Sequence, residues 1–288
     1  MGQTAFERIA ARVRDVGAPV VLGLDPRPDR MPPSFRDGVD GVRRFHSRLL
    51  ELIGDLVVAV KPQIAFFEAF GEDGLRAWAD TCALVKERDL VVIGDVKRGD
   101  IGSTAEAYAK VHFRWADILT VHPLLGDDSI EPFLRPCRDE GKGIFLLCAT
   151  SNPGWSRFQA IEDRDGVPLW ARIAEAIEEW NASCPSHAGY GPVGAVVGAT
   201  HPEILARVRE LAPSAWLLLP GVGAQGATIE EVLSACDTNG LGALVPVSRG
   251  IASCFDPEDP DWETKVRQGA EALVAAARKP VDAHRSED

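Results

Sequence analysis

Short runs of apolar, mostly β-branched residues recur along the chain, and between them the apolar positions fall at helical spacing. Eight runs have strand length: Val20 to Leu24, Val57 to Val60, Val91 to Gly94, Ile118 to Val121, Ile144 to Cys148, Val193 to Val197, Trp216 to Leu219 and Leu244 to Val247. Helix-period segments lie between them at Gly41 to Asp55, Gly74 to Arg88, Ser103 to Trp115, Leu169 to Asn181, Glu203 to Leu211 and Thr228 to Cys236, mostly introduced by Gly, Pro, Ser or Thr. Strands apolar on both faces belong to a parallel sheet covered on both sides. Eight βα units in one chain predict a closed (β/α)8 TIM barrel, α/β in class, folded as a single domain over residues 1–288. The stretch from Ser151 to Gly191 is longer than a connection requires and is expected to be a loop insertion after strand five. The polar stretch from Arg278 to Asp288 is expected to fray.

Length alone leaves the domain count open, since 288 residues suit one barrel or two smaller units. There is no apolar run of about 18 residues and no basic, apolar leader at the N-terminus, which predicts a soluble cytosolic protein. The six cysteines (Cys82, Cys137, Cys148, Cys184, Cys236, Cys254) show no CxxC spacing, so they are expected to be reduced and mostly core filler. A net charge of −12 without a Lys/Arg tract argues against nucleic acid or an anionic membrane as partner. An anionic small substrate would still need a local positive site.

In a barrel, chemistry sits at the C-terminal ends of the strands. Polar residues collect there: Asp25 after strand one, Lys61 after two, Asp95 and Lys97 after three, Ser151 and Asn152 after five, Ser248 and Arg249 after eight. Any one of these alone reads as a solvated rim residue. Asp95 and Lys97, however, stand two apart on an extended segment and so point to the same side, with Asp100 close behind. An ammonium held between carboxylates suits a proton donor or electrostatic stabiliser, the bland alternative being a structural ion-pair network. Strand seven runs into Pro220 and the segment PGVGAQG, and strand eight into SRG. Glycines that admit an anion to the backbone, followed by the forked Arg249, together suggest a phosphate cradle, although GVGxxG alone is commonly a tight turn. His122 and His201 each precede proline and read as structural. No HxH or HExxH spacing supports a metal, and Phe66, Phe67 and Phe70 read as helix packing.

The segment DVKRGDIGSTAEAY, Asp95 to Tyr108, resembles the D-x-K-x-x-D signature of the orotidine 5′-phosphate decarboxylases. LGLDP, VKPQIAFFE, ATSN, LPGVGAQG and SRGI follow that family's order from Val20 to Ile251, most like its second, bacterial and mycobacterial type. The resemblance implies conversion of orotidine monophosphate to uridine monophosphate and CO2 in pyrimidine biosynthesis, with no cofactor and no metal. It implies that Lys97 is the proton donor to C6, flanked by Asp95 and Asp100, and that Asp25 and Lys61 hold the ribose hydroxyls and complete the charged array. Ser151 would face the pyrimidine edge, while Gln225, Gly250 and Arg249 hold the phosphate and Pro220 lines the substrate site. It further implies a homodimer in which Asp100, Ile101 and Thr104 enter the partner's site. One departure stands out: the better-known form has a longer loop after strand seven with a Tyr contact, and here the loop is short and lacks Tyr, so only Gln225 carries over. The rivals are a magnesium-dependent sugar-phosphate synthase of the same superfamily and a non-catalytic nucleotide-phosphate sensor. A Schiff-base aldolase using Lys61 or Lys97 is disfavoured by the carboxylates beside Lys97.

Overall fold

The computed structural model describes residues 2–222 and 228–285. Its eight strands are β1 (Val20–Leu24), β2 (Ala59–Pro62), β3 (Val91–Arg98), β4 (Ile118–Val121), β5 (Gly143–Ala149), β6 (Val193–Val197), β7 (Leu217–Leu218) and β8 (Ala243–Val247). Each lies parallel to the next, and β8 returns to β1, with Val20 opposite Val245, to close the predicted (β/α)8 barrel. All five residues of β1 and of β6 are buried, because one face fills the barrel and the other lies under helices.

Helices Gly38–Ile53, Gly71–Lys86, Gly102–Trp115, Leu169–Ala182, Pro202–Leu211 and Ile229–Leu233 occupy the predicted segments, with shifted ends. Several further helices escaped the periodicity. Ala5–Val16 opens with a capping box, in which the Thr4 hydroxyl accepts the Glu7 N–H and the Glu7 carboxylate accepts the Thr4 N–H. Its Phe6 ring stacks on Trp216 and meets Phe145 edge-on, covering the barrel end opposite the strand C-termini. Asp127–Asp139 contains Pro132 and Pro136, which mask its pattern.

One expectation requires correction. Strand two is displaced: Val57 and Val58 are buried ahead of it, and the strand itself runs through Lys61 to Pro62. Helix Trp262–Arg285 runs into the segment expected to fray, whose residues 286–288 lie outside the described ones. The alanine-rich EALVAAARK stretch favours helix, and the Arg278 guanidinium ties the helix to the Val16 carbonyl at 2.6 and 2.9 Å. Among the described residues no helix is long and apolar enough to cross a membrane.

Candidate active site

At the C-terminal end of β3 the Asp95 carboxylate is buried between two lysines. Lys61 from β2 places Nζ 2.7 Å from Oδ2, and Lys97 places Nζ 2.5 Å from Oδ1. The Thr120 hydroxyl, from β4, donates to the same Oδ1 at 3.0 Å and accepts the Lys97 N–H at 2.9 Å. Burial by itself would raise the Asp95 carboxyl, but the charges of Lys61 and Lys97 and their hydrogen bonds outweigh it and hold the group well below the usual carboxylate range. Asp95 is therefore a fixed anion. The two ammoniums differ in access: the Lys61 side chain is 11% exposed and that of Lys97 46%, so Lys97 is the more open of the two to a ligand.

The backbone at Lys97 is not the extended one expected. Its φ is 45°, in the left-handed region, and the β3–β4 register shifts between Gly94 and Arg98. Such a residue costs about 1–2 kcal/mol, so the conformation needs the contacts to Thr120 and Asp95 that hold it there.

A cavity of about 440 Å³ opens over this cluster and is lined by Lys61, Asp95, Lys97, Thr120, Ser151 and Gln159, among others. A second recess of about 230 Å³, with Asp25, Ser248, Arg249 and Gly250 in its wall, shares Lys61, Pro220 and Pro246 with the first. The two form one groove with the lysine–aspartate cluster in one half and Arg249 in the other. Gly23 makes the second half possible: a Cβ there would fall 2.0 Å from the Ser248 Oγ. Its absence lets the end of β8 close on β1 and brings Asp25 and Arg249 into one recess.

The chain does not bring Asp100 to Lys97. Asp100 follows the end of β3, its carboxylate accepts the Ile101 N–H at 2.8 Å, and it lines neither cavity. Among the described residues Asp95 is the only carboxylate paired with Lys97, because after Arg98 the backbone turns at Gly99 against His122 into helix Gly102–Trp115. Ile101 is 55% exposed, and Thr104 is exposed on the first turn of that helix. Gln225 lies outside the described residues.

Sequence reasoning missed Thr120, Thr150 and Gln159. Thr120 had a signal, a polar residue inside the run Ile118 to Val121; Gln159 had none. Two residues read as structural do pack: Phe67 is fully buried against Trp78 and His46, and the His201 ring lies 4.7 Å from the Trp155 ring. Among the described residues no three His, Cys, Asp or Glu side chains converge as metal ligands would.

Residues 19–259 match the model of the "Orotidine 5'-phosphate decarboxylase / HUMPS family". A protein of Rhodopirellula baltica named orotidine 5′-phosphate decarboxylase is 39% identical, covering 92% of this chain and 95% of its own. One of the same name from Halorubrum lacusprofundi is 44% identical over 85% of this chain and 86% of its own. The solved structure of Leishmania donovani OMP decarboxylase superposes with a TM-score of 0.77 at 34% identity, covering 95% of this chain and 100% of that one.

Proposed function

Since this chain belongs to the orotidine 5′-phosphate decarboxylase / HUMPS family, we infer that it is a carboxy-lyase that converts orotidine monophosphate to uridine monophosphate and CO2 in pyrimidine biosynthesis. The observation that carries the reading is the pair of ammoniums on one buried carboxylate at one end of a groove whose other end presents Arg249.

The chemistry explains the need for that charge. When the bond from C6 to the carboxylate breaks, its electron pair stays in the plane of the ring, orthogonal to the π-system, and cannot delocalise. A preorganised positive charge is what can stabilise it. The Lys97 ammonium, accessible and fixed by Asp95, supplies that charge; it then passes a proton from Nζ to C6 and is reprotonated from solvent. Asp25 and Lys61 hold the ribose hydroxyls where the two halves of the groove meet. Ser151 faces the pyrimidine edge, and Arg249, Gly250 and Pro220, with Gln225, form the phosphate end. No metal or organic cofactor enters the scheme.

The working unit on this reading is a cytoplasmic homodimer of single-domain barrels, with Asp100, Ile101 and Thr104 reaching the partner's site. What supports it is position: these residues stand outside their own groove, on the barrel end that also exposes Leu124, Leu125, Phe158 and Ile161. The test is the absorbance of orotidine monophosphate on mixing with chelator-treated protein. Conversion to uridine monophosphate is expected; activity lost with EDTA and restored by magnesium would favour the sugar-phosphate reading instead.

A further inference from the structure

The insertion after β5 sends Gln159 back into the groove. Its short helix Ser156–Gln159 turns Phe158 outward, 62% exposed, while Gln159 lines the cavity. Both ends of the Gln159 amide are engaged by Thr150: Oε1 accepts the Thr150 N–H at 2.8 Å, and Nε2 donates to the Thr150 Oγ1 at 2.9 Å. The Thr150 hydroxyl donates onward to the Asn152 Oδ1 at 2.6 Å. The backbone N–H can only meet an oxygen, so this pairing fixes which way the amide faces.

On its other side the same stretch is pressed by β6. The Gly198 N–H donates to the Ala149 carbonyl at 2.6 Å, and a Cβ at Gly198 would fall 2.7 Å from the Ser151 Cα. Ser151 thus stands between a close backbone packing that no other residue would permit and a two-point clasp reaching in from the insertion. We propose that Gln159 is a positioning residue that sets Ser151 against the pyrimidine edge, which makes the insertion part of base recognition. The proposal rests on the reading of Ser151 given above. With both ends of its amide held by Thr150, Gln159 acts through Thr150 and Ser151 and not on the substrate.

The experiment compares Gln159→Ala with wild type in three measurements: KM and kcat for orotidine monophosphate, inhibition by uridine monophosphate, and inhibition by ribose 5-phosphate, which has no base. Loss of two hydrogen bonds should raise KM and weaken uridine monophosphate about tenfold. Ribose 5-phosphate inhibition and thermal midpoint should not move, and kcat should change less than KM. Gln159→Glu keeps the acceptor for the Thr150 N–H and should recover most of the uridine monophosphate affinity. Thr150→Val, which removes only the hydroxyl half of the clasp, should lose part of it. Parallel weakening of uridine monophosphate and ribose 5-phosphate would reduce Gln159 to general support of the groove and overturn the proposal, as would unchanged affinities in Gln159→Ala. A wild-type protein that neither turns over orotidine monophosphate nor binds uridine monophosphate would instead sink the functional reading itself.

Discussion

Lys97 reaches Asp95 from a backbone that has left the extended conformation within β3: at φ 45° its Nζ still lies 2.5 Å from the Asp95 Oδ1. The Thr120 hydroxyl holds both partners at once, donating to the carboxylate and accepting the Lys97 N–H. The ammonium therefore sits where it does by three constraints, which is the preorganisation that charge stabilisation requires.

Asp95→Asn should remove the anion and leave two cations facing a neutral amide. We expect kcat to fall by about 10²–10³-fold with uridine monophosphate still binding, as read by steady-state kinetics and calorimetry. A variant with kcat near wild type would mean that the anion is not needed to place Lys97.

Arg249→Ala should act on the phosphate and little else. A forked, charge-assisted contact is worth on the order of 1.5–3 kcal/mol, so inhibition by uridine monophosphate should weaken roughly 10–150-fold while inhibition by uridine stays the same. Equal weakening of both would show that Arg249 supports the recess without holding its ligand.

Mixing two inactive variants tests the shared site. Lys97→Ala and Asp100→Ala homodimers should each be nearly inactive. In a mixed dimer one site carries both lesions and the other none, because a two-fold interface exchanges equivalent residues. Random re-pairing of equal amounts should restore about a quarter of wild-type activity under that symmetry. Parental-level activity after demonstrated exchange of tagged subunits would place Asp100 in its own chain's chemistry.

Acid should destabilise the fold through its interior histidines. Burial pushes His46, which lies beside Thr81, down to about 3. It pushes His112 down to about 4, with Arg98 adding to the effect and Glu68 opposing it. An unfolded chain protonates histidine near pH 6.5, so from about pH 6 to 4.5 the unfolded state binds protons that the folded state does not. Stability should fall with pH by up to about 1.4 kcal/mol per unit for each such group. Asp95, depressed in the folded state, keeps its contribution throughout this window and loses it only at lower pH. Denaturant titrations at several pH values should show a slope smaller by one proton in His46→Gln; an unchanged slope would show that His46 is not the group responsible.

Parts of this architecture were legible in the chain, and the reason differs by element. β1, β4 and β6 were placed to the residue because strands buried on both faces leave an unbroken apolar run. β2 was not, since Lys61 and Pro62 look like a loop until Asp95 is known to accept the lysine, and that contact joins two different strands. The Asp95 and Lys97 pairing was readable because it is local. Gln159 was not, since its role depends on a chain reversal that returns it to Thr150. Asp100 follows Lys97 closely in sequence, yet within its own chain its carboxylate accepts the Ile101 N–H and stays apart from Lys97, and its expected place in a partner's site is not something one chain can display.

The β1–β8 seam bears on how the molecule comes into being. Val20 pairs with Val245, and Asp25 shares its recess with Arg249, so the two ends of the sequence build that half of the groove together. A nascent chain emerging from the ribosome has most of its strands before it has any anion recess, and it must carry β1 with an unpaired edge until the last strand arrives. Such a long-range closure is slow to form, and an open strand edge invites pairing with another chain. Truncation ahead of Ala243 should therefore yield aggregates rather than a weakened enzyme.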